Sequence, residues 1–327
     1  MRVLIVGAAG SLGRQLAPHL AERGHEVVCF DLRRPAGEPF ERYRWVTGDL
    51  LVPHVLAEAA QGCEALVHIP AWHGIHLRHR TRRDFWELNV DGAFNAFQAA
   101  LTVGARTLLY CSAMGVYGGI PRPADRALRV TDESPVRPTG DIYAHTKVIG
   151  EQLCELYHRV YGLAVLAFRL GMFVPVDFVH YGMRLLHGGV DERDLAQAFR
   201  LALENGEARF GTFNLFAPTP FDEDDAAALV GDPATVLRKH YPDAAVLDRF
   251  APGRDLPGAR WYARADDGSI VPAPIRTYWK SDRARAVLGW RPEYDFARFL
   301  RDLNDRSAAQ VRENRYPVPN APGPWQP

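Results

Sequence analysis

The sequence predicts an α/β fold built on a doubly wound parallel sheet, and three observations predict it. Short apolar runs alternate with helix-period segments through the first 170 residues. Glycines at 7, 10 and 13 follow the first run at once, and Asp31 closes the second. In order, "RVLIV" is the first strand, Leu12, Leu16 and Leu20 share one face of the first helix, and Gly24 ends that helix before "HEVVCFD". Pro18 predicts a kink, because proline inside a helix removes a hydrogen bond at a cost of about 3 kcal/mol. "YRWVTGDL" ends a third strand, "HVLAEAAQGC" reads as helix and "EALVHIPAW" is the fourth strand. Phe85, Leu88, Ala93, Ala96, Phe97 and Ala100 fall at helical spacing, "RTLLYCSAMGVYG" supplies the fifth strand and its exit loop, and a new helix runs from about Tyr143 to Tyr161. "LAVLAFRLGMFVP" and "GTFNLFAP" complete the sheet, with the helix "DERDLAQAFRLALEN" between them.

Composition narrows the function. The chain has 327 residues, 47% of them hydrophobic, enough for a large core. Lys plus Arg and Asp plus Glu each number 39, so no long-range field exists to hold a nucleic acid. Cys29, Cys63, Cys111 and Cys154 are far apart, lack C-x-x-C spacing and lie in apolar segments, which predicts reduced thiols in a cytoplasmic protein. The first strand starts at Arg2 with no room for a leader, and no apolar run approaches about 20 residues, so neither secretion nor a membrane partner is expected.

The glycine turn carries the first chemistry. Gly7, Gly10 and Gly13 allow a tight turn, close approach of backbone to a pyrophosphate and close packing of helix on strand, while the helix start offers unpaired N–H groups to phosphate. That is the signature of a Rossmann-type dinucleotide site. Asp31 stands 18 residues beyond Gly13, where a carboxylate accepts from both ribose hydroxyls and repels a 2′-phosphate, so NAD is expected over NADP. Arg33 and Arg34, just past the strand, are the countersignal. The expected dinucleotide contacts are Gly7, Ala9, Gly10, Ser11, Leu12 and Gly13, then Asp31 and Leu32, Asp49 and Leu50 at the adenine edge, and Ile69, Pro70 and Ala71 after the fourth strand. His73, His76 and His79 lie in the loop that follows. They lack an acidic or thiol neighbour, so no metal is expected, and His73 is placed at the substrate because ligands sit at the carboxyl ends of parallel strands.

"YAHTK" at 143–147 carries the second. Tyr143 and Lys147 stand four residues apart on one helix face, so an ammonium can lie near a phenol that by itself titrates near ~10. A cation there favours phenolate and makes Tyr143 a usable acid/base. Any helix can carry such a pair. This one opens the helix behind the serine-bearing end of the fifth strand.

The glycines at 7–13, Asp31, "GDL" at 48–50, "NVDG" at 89–92, "CSAMGVYG" at 111–118 and "YAHTK" together resemble the extended short-chain dehydrogenase/reductase family, which includes sugar-nucleotide epimerases and dehydratases. The resemblance implies Tyr143 as acid/base, Lys147 as the residue that lowers its pKa and holds the nicotinamide ribose, and Asn89 as a shaper of the cofactor pocket. It also implies a homodimer through the helices starting near Arg82 and Tyr143. Ser112 matches the first serine of the family's strand end and is carried as a catalytic candidate, while the second, which hydrogen-bonds the reacting hydroxyl, is replaced by Ala113.

The second half bears on substrate. Only 15 residues separate Pro175 from Asp191, too few for the insert that holds a nucleotide sugar in this family, and "HYGMRLLHGG" and "YWKSDRARAVLGWRP" resemble its small-substrate branch, typified by uronate dehydrogenase. That likeness makes Arg184 a carboxylate clamp. Met114, Gly115 and Met172 stand where the branch has polar groups and suggest a more apolar ligand, and Ala113, Met114 and Met172 are expected at the substrate. Residues 1–174 are expected to form the NAD-binding domain and 175–327 a small mixed substrate-binding region, interleaved with the last sheet elements at about 190–217. Within it, 221–275 is expected as a lid-like loop and 312–327 as an extended proline-rich tail. Three functions stay open on the sequence: an NAD-dependent oxidoreductase acting on a small sugar, sugar acid or related alcohol, an epimerase holding NAD tightly, and a non-catalytic NAD-binding sensor.

Overall fold

Seven parallel strands form the central sheet of the computed structural model, which describes residues 1–37, 39–248, 261–264, 269–306 and 317–318. The chain runs β1 (Arg2–Val6), α1 (Ser11–Ala21), β2 (Glu26–Asp31), β3 (Arg44–Thr47), α2 (Pro53–Ala60), β4 (Ala65–His68), α3 (Arg82–Trp86), α4 (Gly92–Thr102) and β5 (Thr107–Ala113). It continues through β6 (Leu128–Val130), α5 (Ile142–Tyr161), β7 (Ala164–Leu170), α6 (Phe178–Leu185), α7 (Glu192–Glu204) and β8 (Phe210–Leu215). After the sheet come α8 (Ala226–Gly231), α9 (Pro233–His240), β9 (Tyr262–Arg264), β10 (Ile270–Pro272), β11 (Thr277–Trp279), α10 (Asp282–Leu288) and α11 (Phe296–Asp305). The sheet order is β3-β2-β1-β4-β5-β7-β8, so the chain reverses direction of travel between β1 and β4. At such a switch point, above the carboxyl ends of the strands, parallel sheets bind ligands.

The strands are central because their sequences tolerate burial on both faces. Val3, Leu4 and Ile5 of β1 are fully buried, and every residue of β7 is buried, Arg169 included. One face packs on α1 and α7 through Leu12, Leu16, Leu20, Leu195 and Phe199. The opposite face packs on α2, α4 and α5 through Leu56, Ala96, Phe97 and Tyr157. A further core beyond the sheet joins α6, α8, α9 and α11 through Phe178, Leu229, Leu237 and Phe299.

Helix α1 runs through Pro18 to Ala21. The helix expected across Phe85–Ala100 is divided: α3 passes into a π turn at Glu87–Asp91 before α4 begins. Such turns re-aim side chains, and this one carries Asn89. Segment 221–275 requires a correction, because its first part is α8 and α9 rather than a loop. The overlooked signal was "GDPAT": Asp232 accepts from the Thr235 N–H at 3.2 Å, with Pro233 at the first helical position. Tyr262 and Trp279 are buried and Trp261 is half-buried, as their bulk required. Residues 249–260 and 265–268 of that segment, and the tail 312–327 apart from Pro317 and Val318, lie outside the described residues. Among the described residues no helix is long and apolar enough to cross a membrane.

Candidate active site

Helix α5 places the Tyr–Lys pair, and its start is fixed locally. Asp141 caps it by accepting from the Ala144 N–H at 2.9 Å, which stabilises the first turn by about 1 kcal/mol. Tyr143 is the second helical residue and Lys147 follows one turn later, buried to 2% exposure. Lys147 Nζ donates to the Cys111 carbonyl of β5 at 2.7 Å, pinning the ammonium at the carboxyl end of the sheet. Burial lowers Lys147 to about 8, and burial likewise raises the half-buried Tyr143, with the nearby Cys111 and Asp141 adding to the rise. In the fold, therefore, the pair is a neutral phenol beside an ammonium.

The loop after β4 closes over this pair. Asn89 Oδ1 accepts from the Trp72 N–H at 2.8 Å, and Asn89 Nδ2 donates to the Trp72 carbonyl and to Thr146 Oγ1, both at 3.0 Å. Thr146 in turn donates to the Tyr143 carbonyl at 2.7 Å. One amide thus ties the loop, the π turn and α5 together. His73 lies with its ring centroid 6.0 Å from that of Tyr143, and Phe85 stands at 6.5 Å. Desolvation, with the Lys147 cation second, pushes the His73 imidazole down to about 3.

The turn after β1 fits a dinucleotide. Gly7 has φ +85°, and a Cβ at position 13 would lie 2.6 Å from both Ala8 Cα and the Gly7 carbonyl, so only glycine lets α1 seat on the strand. Ser11 Oγ is buried with no hydrogen-bond partner among the described residues, at the very end of α1 that offers free N–H groups. A phosphate oxygen would satisfy it. Asp31 is held at the end of β2 by the Ala9 N–H, 2.9 Å from Oδ2, and Leu32 beside it exposes 69% of its surface, an apolar shelf for an adenine. Ile69 N–H donates to the Val6 carbonyl at 3.1 Å, and Pro70 packs at Gly7, which brings the β4 exit against the phosphate turn. Ala71 continues that exit, half-buried, and Gly10 faces the same turn. Leu50 is buried below Gly92, whereas Asp49 is exposed and closes its own turn on the Leu51 N–H at 2.9 Å. Arg34 donates to the Glu41 carbonyl at 2.8 Å, and Arg33 beside it is exposed past β2.

Residues 3–183 match the model of the NAD dependent epimerase/dehydratase family. The chain belongs to that family. Ceramide reductase of Caulobacter vibrioides is 35% identical over 147 residues, 42% of this chain but only 45% of that protein. The match to UDP-glucose 4-epimerase of Corynebacterium glutamicum is 25% identical and covers 96% of this chain and all of the epimerase. A solved structure of a mutated uronate dehydrogenase superposes with a TM-score of 0.63 at 19% identity, covering 94% of this chain and 86% of that one, which is a likeness of fold. Members of the family are NAD-dependent dehydrogenases and epimerases, and the seven-stranded sheet is theirs.

Within this epimerase/dehydratase frame the remaining candidates divide. Ala113 ends β5 at 6% exposure, and Met114 and Met172 meet at Gly188: a Cβ there would lie 3.0 Å from Met114 Cε, and Met172 N–H donates to the Gly188 carbonyl at 2.9 Å. Ser112 departs from expectation, since its hydroxyl donates to Glu151 Oε1 at 2.6 Å instead of standing open to a ligand. Arg184 departs too: it is 1% exposed, its guanidinium donates to the Val174 carbonyl, and it offers no open clamp. Its fixed chain fills the turn below Gly189. Among the described residues no cluster of metal ligands forms, and the His76 side chain fastens the loop, its Nδ1 accepting from the His73 backbone N–H at 2.8 Å.

Two groups went unnoticed in the sequence. Glu151, one turn beyond Lys147, takes Arg169 on both oxygens at 2.9 and 2.7 Å, and Arg169 reaches on to the Tyr117 hydroxyl, which donates to Asn214 at 2.8 Å. A lone arginine in the apolar run "LAVLAFRLG" was the available signal, because a buried cation demands a buried anion. His68 ends β4 stacked 5.6 Å from Tyr110, and both of its nitrogens lack partners among the described residues. It is pushed down to about 3 by burial and, second, by Lys147.

Proposed function

We propose that the chain is an NAD-dependent oxidoreductase that interconverts a hydroxyl and a carbonyl on a small sugar, sugar acid or related alcohol, with Tyr143 as the acid/base. The observation that carries this is that a phenol beside a pinned ammonium at the carboxyl end of β5 and a phosphate turn with an orphaned serine hydroxyl at the carboxyl end of β1 lie on the same edge of the sheet, with β4 between them. Bound NAD would supply the hydride acceptor, or in its reduced form the donor, at the carbon bearing the reacting oxygen. Tyr143 moves the proton at that oxygen: its neutral phenol can give a proton to a carbonyl, and its phenolate can take one from an alcohol. Lys147, charged at pH 7, supports the phenolate electrostatically. Ser11, the glycine turn and the α1 N–H groups hold the pyrophosphate, and Asp31, fixed by Ala9, favours NAD over NADP despite Arg33. Ala113, Met114 and Met172 give the substrate side an apolar wall, which suits an alcohol with an apolar body, in keeping with the ceramide named for the Caulobacter relative.

The four thiols are buried and free, which suits a reducing cytoplasm. A homodimer is proposed on the exposed Trp86, Phe94, Leu156 and Val160 of α3, α4 and α5. The deciding experiment is a panel of sugar acids, aldoses and apolar alcohols with NAD and NADP in parallel, following absorbance of the reduced nucleotide. One class should give signal with NAD, and Tyr143→Phe should lower kcat at least 10³-fold while NAD affinity stays within about threefold. Turnover by Tyr143→Phe near that of the parent protein would remove Tyr143 from the chemistry.

A further inference from the structure

The family's strand-end hydroxyl is missing here, and among the described residues the neighbouring serine does not make up for it. Ala113 carries only a methyl, and Ser112 has committed its hydroxyl to Glu151 at 2.6 Å, inside the buried network that runs to Arg169 and Tyr117. Among the described residues, an oxygen approaching Tyr143 from the β5 side would then meet the phenol but no strand-end hydroxyl.

The neighbouring strand end offers a hydrogen-bonding side chain. β4 pairs with β5 in parallel, so the loop leaving β4 and the residue ending β5 flank the same opening. His73 is in that loop, its ring tilted 53° to Tyr143 at a centroid separation of 6.0 Å, and a Cβ on the next residue, Gly74, would lie 3.8 Å from Tyr143 Cδ1. Nor is the loop loose. Asn89 holds Trp72 by both its N–H and its carbonyl, Arg80 covers the Trp72 ring at 4.2 Å, and the His73 N–H is held by His76 Nδ1. We propose that His73 takes the part of the hydroxyl that Ala113 lacks, hydrogen-bonding the substrate oxygen whose proton Tyr143 gives or takes. The inference rests on the oxidoreductase function proposed above.

Chemistry supports the exchange. A serine hydroxyl is one donor and an acceptor, and a neutral imidazole is likewise one N–H donor and one acceptor nitrogen. His73 is neutral throughout the physiological range, because burial and the Lys147 cation both oppose its protonation. It therefore adds no second positive charge beside Lys147. The proton itself passes only between Tyr143 and the substrate oxygen. His73 keeps its own N–H, directed at the oxygen where negative charge gathers, and leaves the balance of the hydride transfer unchanged.

The test uses the full chain and the alcohol that responds best in the panel. His73→Ala should lower kcat about 30- to 100-fold with NAD affinity unchanged, and Ala113→Ser in the His73→Ala background should restore at least tenfold, since a hydroxyl from the opposite wall reaches the same oxygen. His73→Asn, which keeps an N–H, should retain more activity than His73→Ala. A kcat within threefold of the parent for His73→Ala overturns the proposal, and so does a loss that Ala113→Ser fails to rescue, because a merely loop-shaping histidine cannot be replaced from position 113. An independent reading needs no turnover: ¹⁹F NMR of trifluoroethanol bound to the NAD complex. Its affinity should weaken about tenfold in His73→Ala and return in the double variant. Equal affinity in parent and His73→Ala overturns the assignment even where no alcohol on the panel is oxidised, whereas silence of the parent protein on the panel counts against the oxidoreductase function and not against His73.

Discussion

Burial shifts the titration of Tyr143, Lys147, His68 and His73 at the site, and of these only Lys147 is charged at neutral pH. Tyr143 goes up and His68 goes down to about 3, so both are neutral, while Lys147 falls only to about 8 and keeps its proton. His68 makes the consequence measurable. Its unfolded imidazole titrates near ~6.5, so between pH 6.5 and 3 the unfolded chain binds a proton that the folded chain refuses, and stability falls as pH drops through that window. At pH 5 the penalty is about 2 kcal/mol. His68→Leu should remove it: the stability difference between variant and parent, read from urea unfolding at pH 7 and pH 5, should shift by about that amount in favour of the variant. A difference independent of pH would show that His68 takes up its proton as readily in the fold as in the unfolded chain. From the sequence, the identity and spacing of Tyr143 and Lys147 were readable, but their titration was not, since desolvation comes from β5 and the loop after β4.

Among elements, α5 is the one the site depends on, and two buried contacts seat it on the sheet. Lys147 grips the Cys111 carbonyl of β5, and Glu151 grips Arg169 of β7 with 10% and 6% of their side chains exposed. Glu151→Gln would leave Arg169 a buried cation without its counter-charge, and breaking such a pair from one side costs about 3–5 kcal/mol. Urea midpoints at pH 7 should fall accordingly. A loss below about 1 kcal/mol would mean that α5 is held by packing alone. Helix α5 itself was legible at both ends within a residue or so, because its apolar spacing and the glycine at 162 are local signals. The division of α3 from α4 was not legible: the π turn keeps the apolar period nearly intact, and its reason, delivering Asn89 to Trp72, lies 17 residues away in the chain.

At the scale of the whole molecule, the outer faces of α3, α4 and α5 leave apolar surface in water. Trp86, Phe94 and Leu156 are each exposed by more than 40%, and Val160 by 63%. A patch of this kind on a chain with balanced charge favours self-association through a twofold axis. Leu156→Glu should convert the protein to a monomer in sedimentation velocity while leaving its far-UV circular dichroism unchanged. A parent protein that sediments as a monomer at micromolar concentration would dismiss the dimer.

The sequence by itself determined the sheet, the phosphate turn and the Tyr–Lys pair. These follow from period, from glycines whose need is local, and from a four-residue spacing, all of which act over one or two turns of chain. Only the tertiary structure decided that Ser112 faces Glu151, that Arg184 is enclosed and that His73 borders Tyr143. Each of those depends on which strand end lies beside which, and adjacency in a parallel sheet is set by crossovers dozens of residues long, beyond the reach of any local pattern.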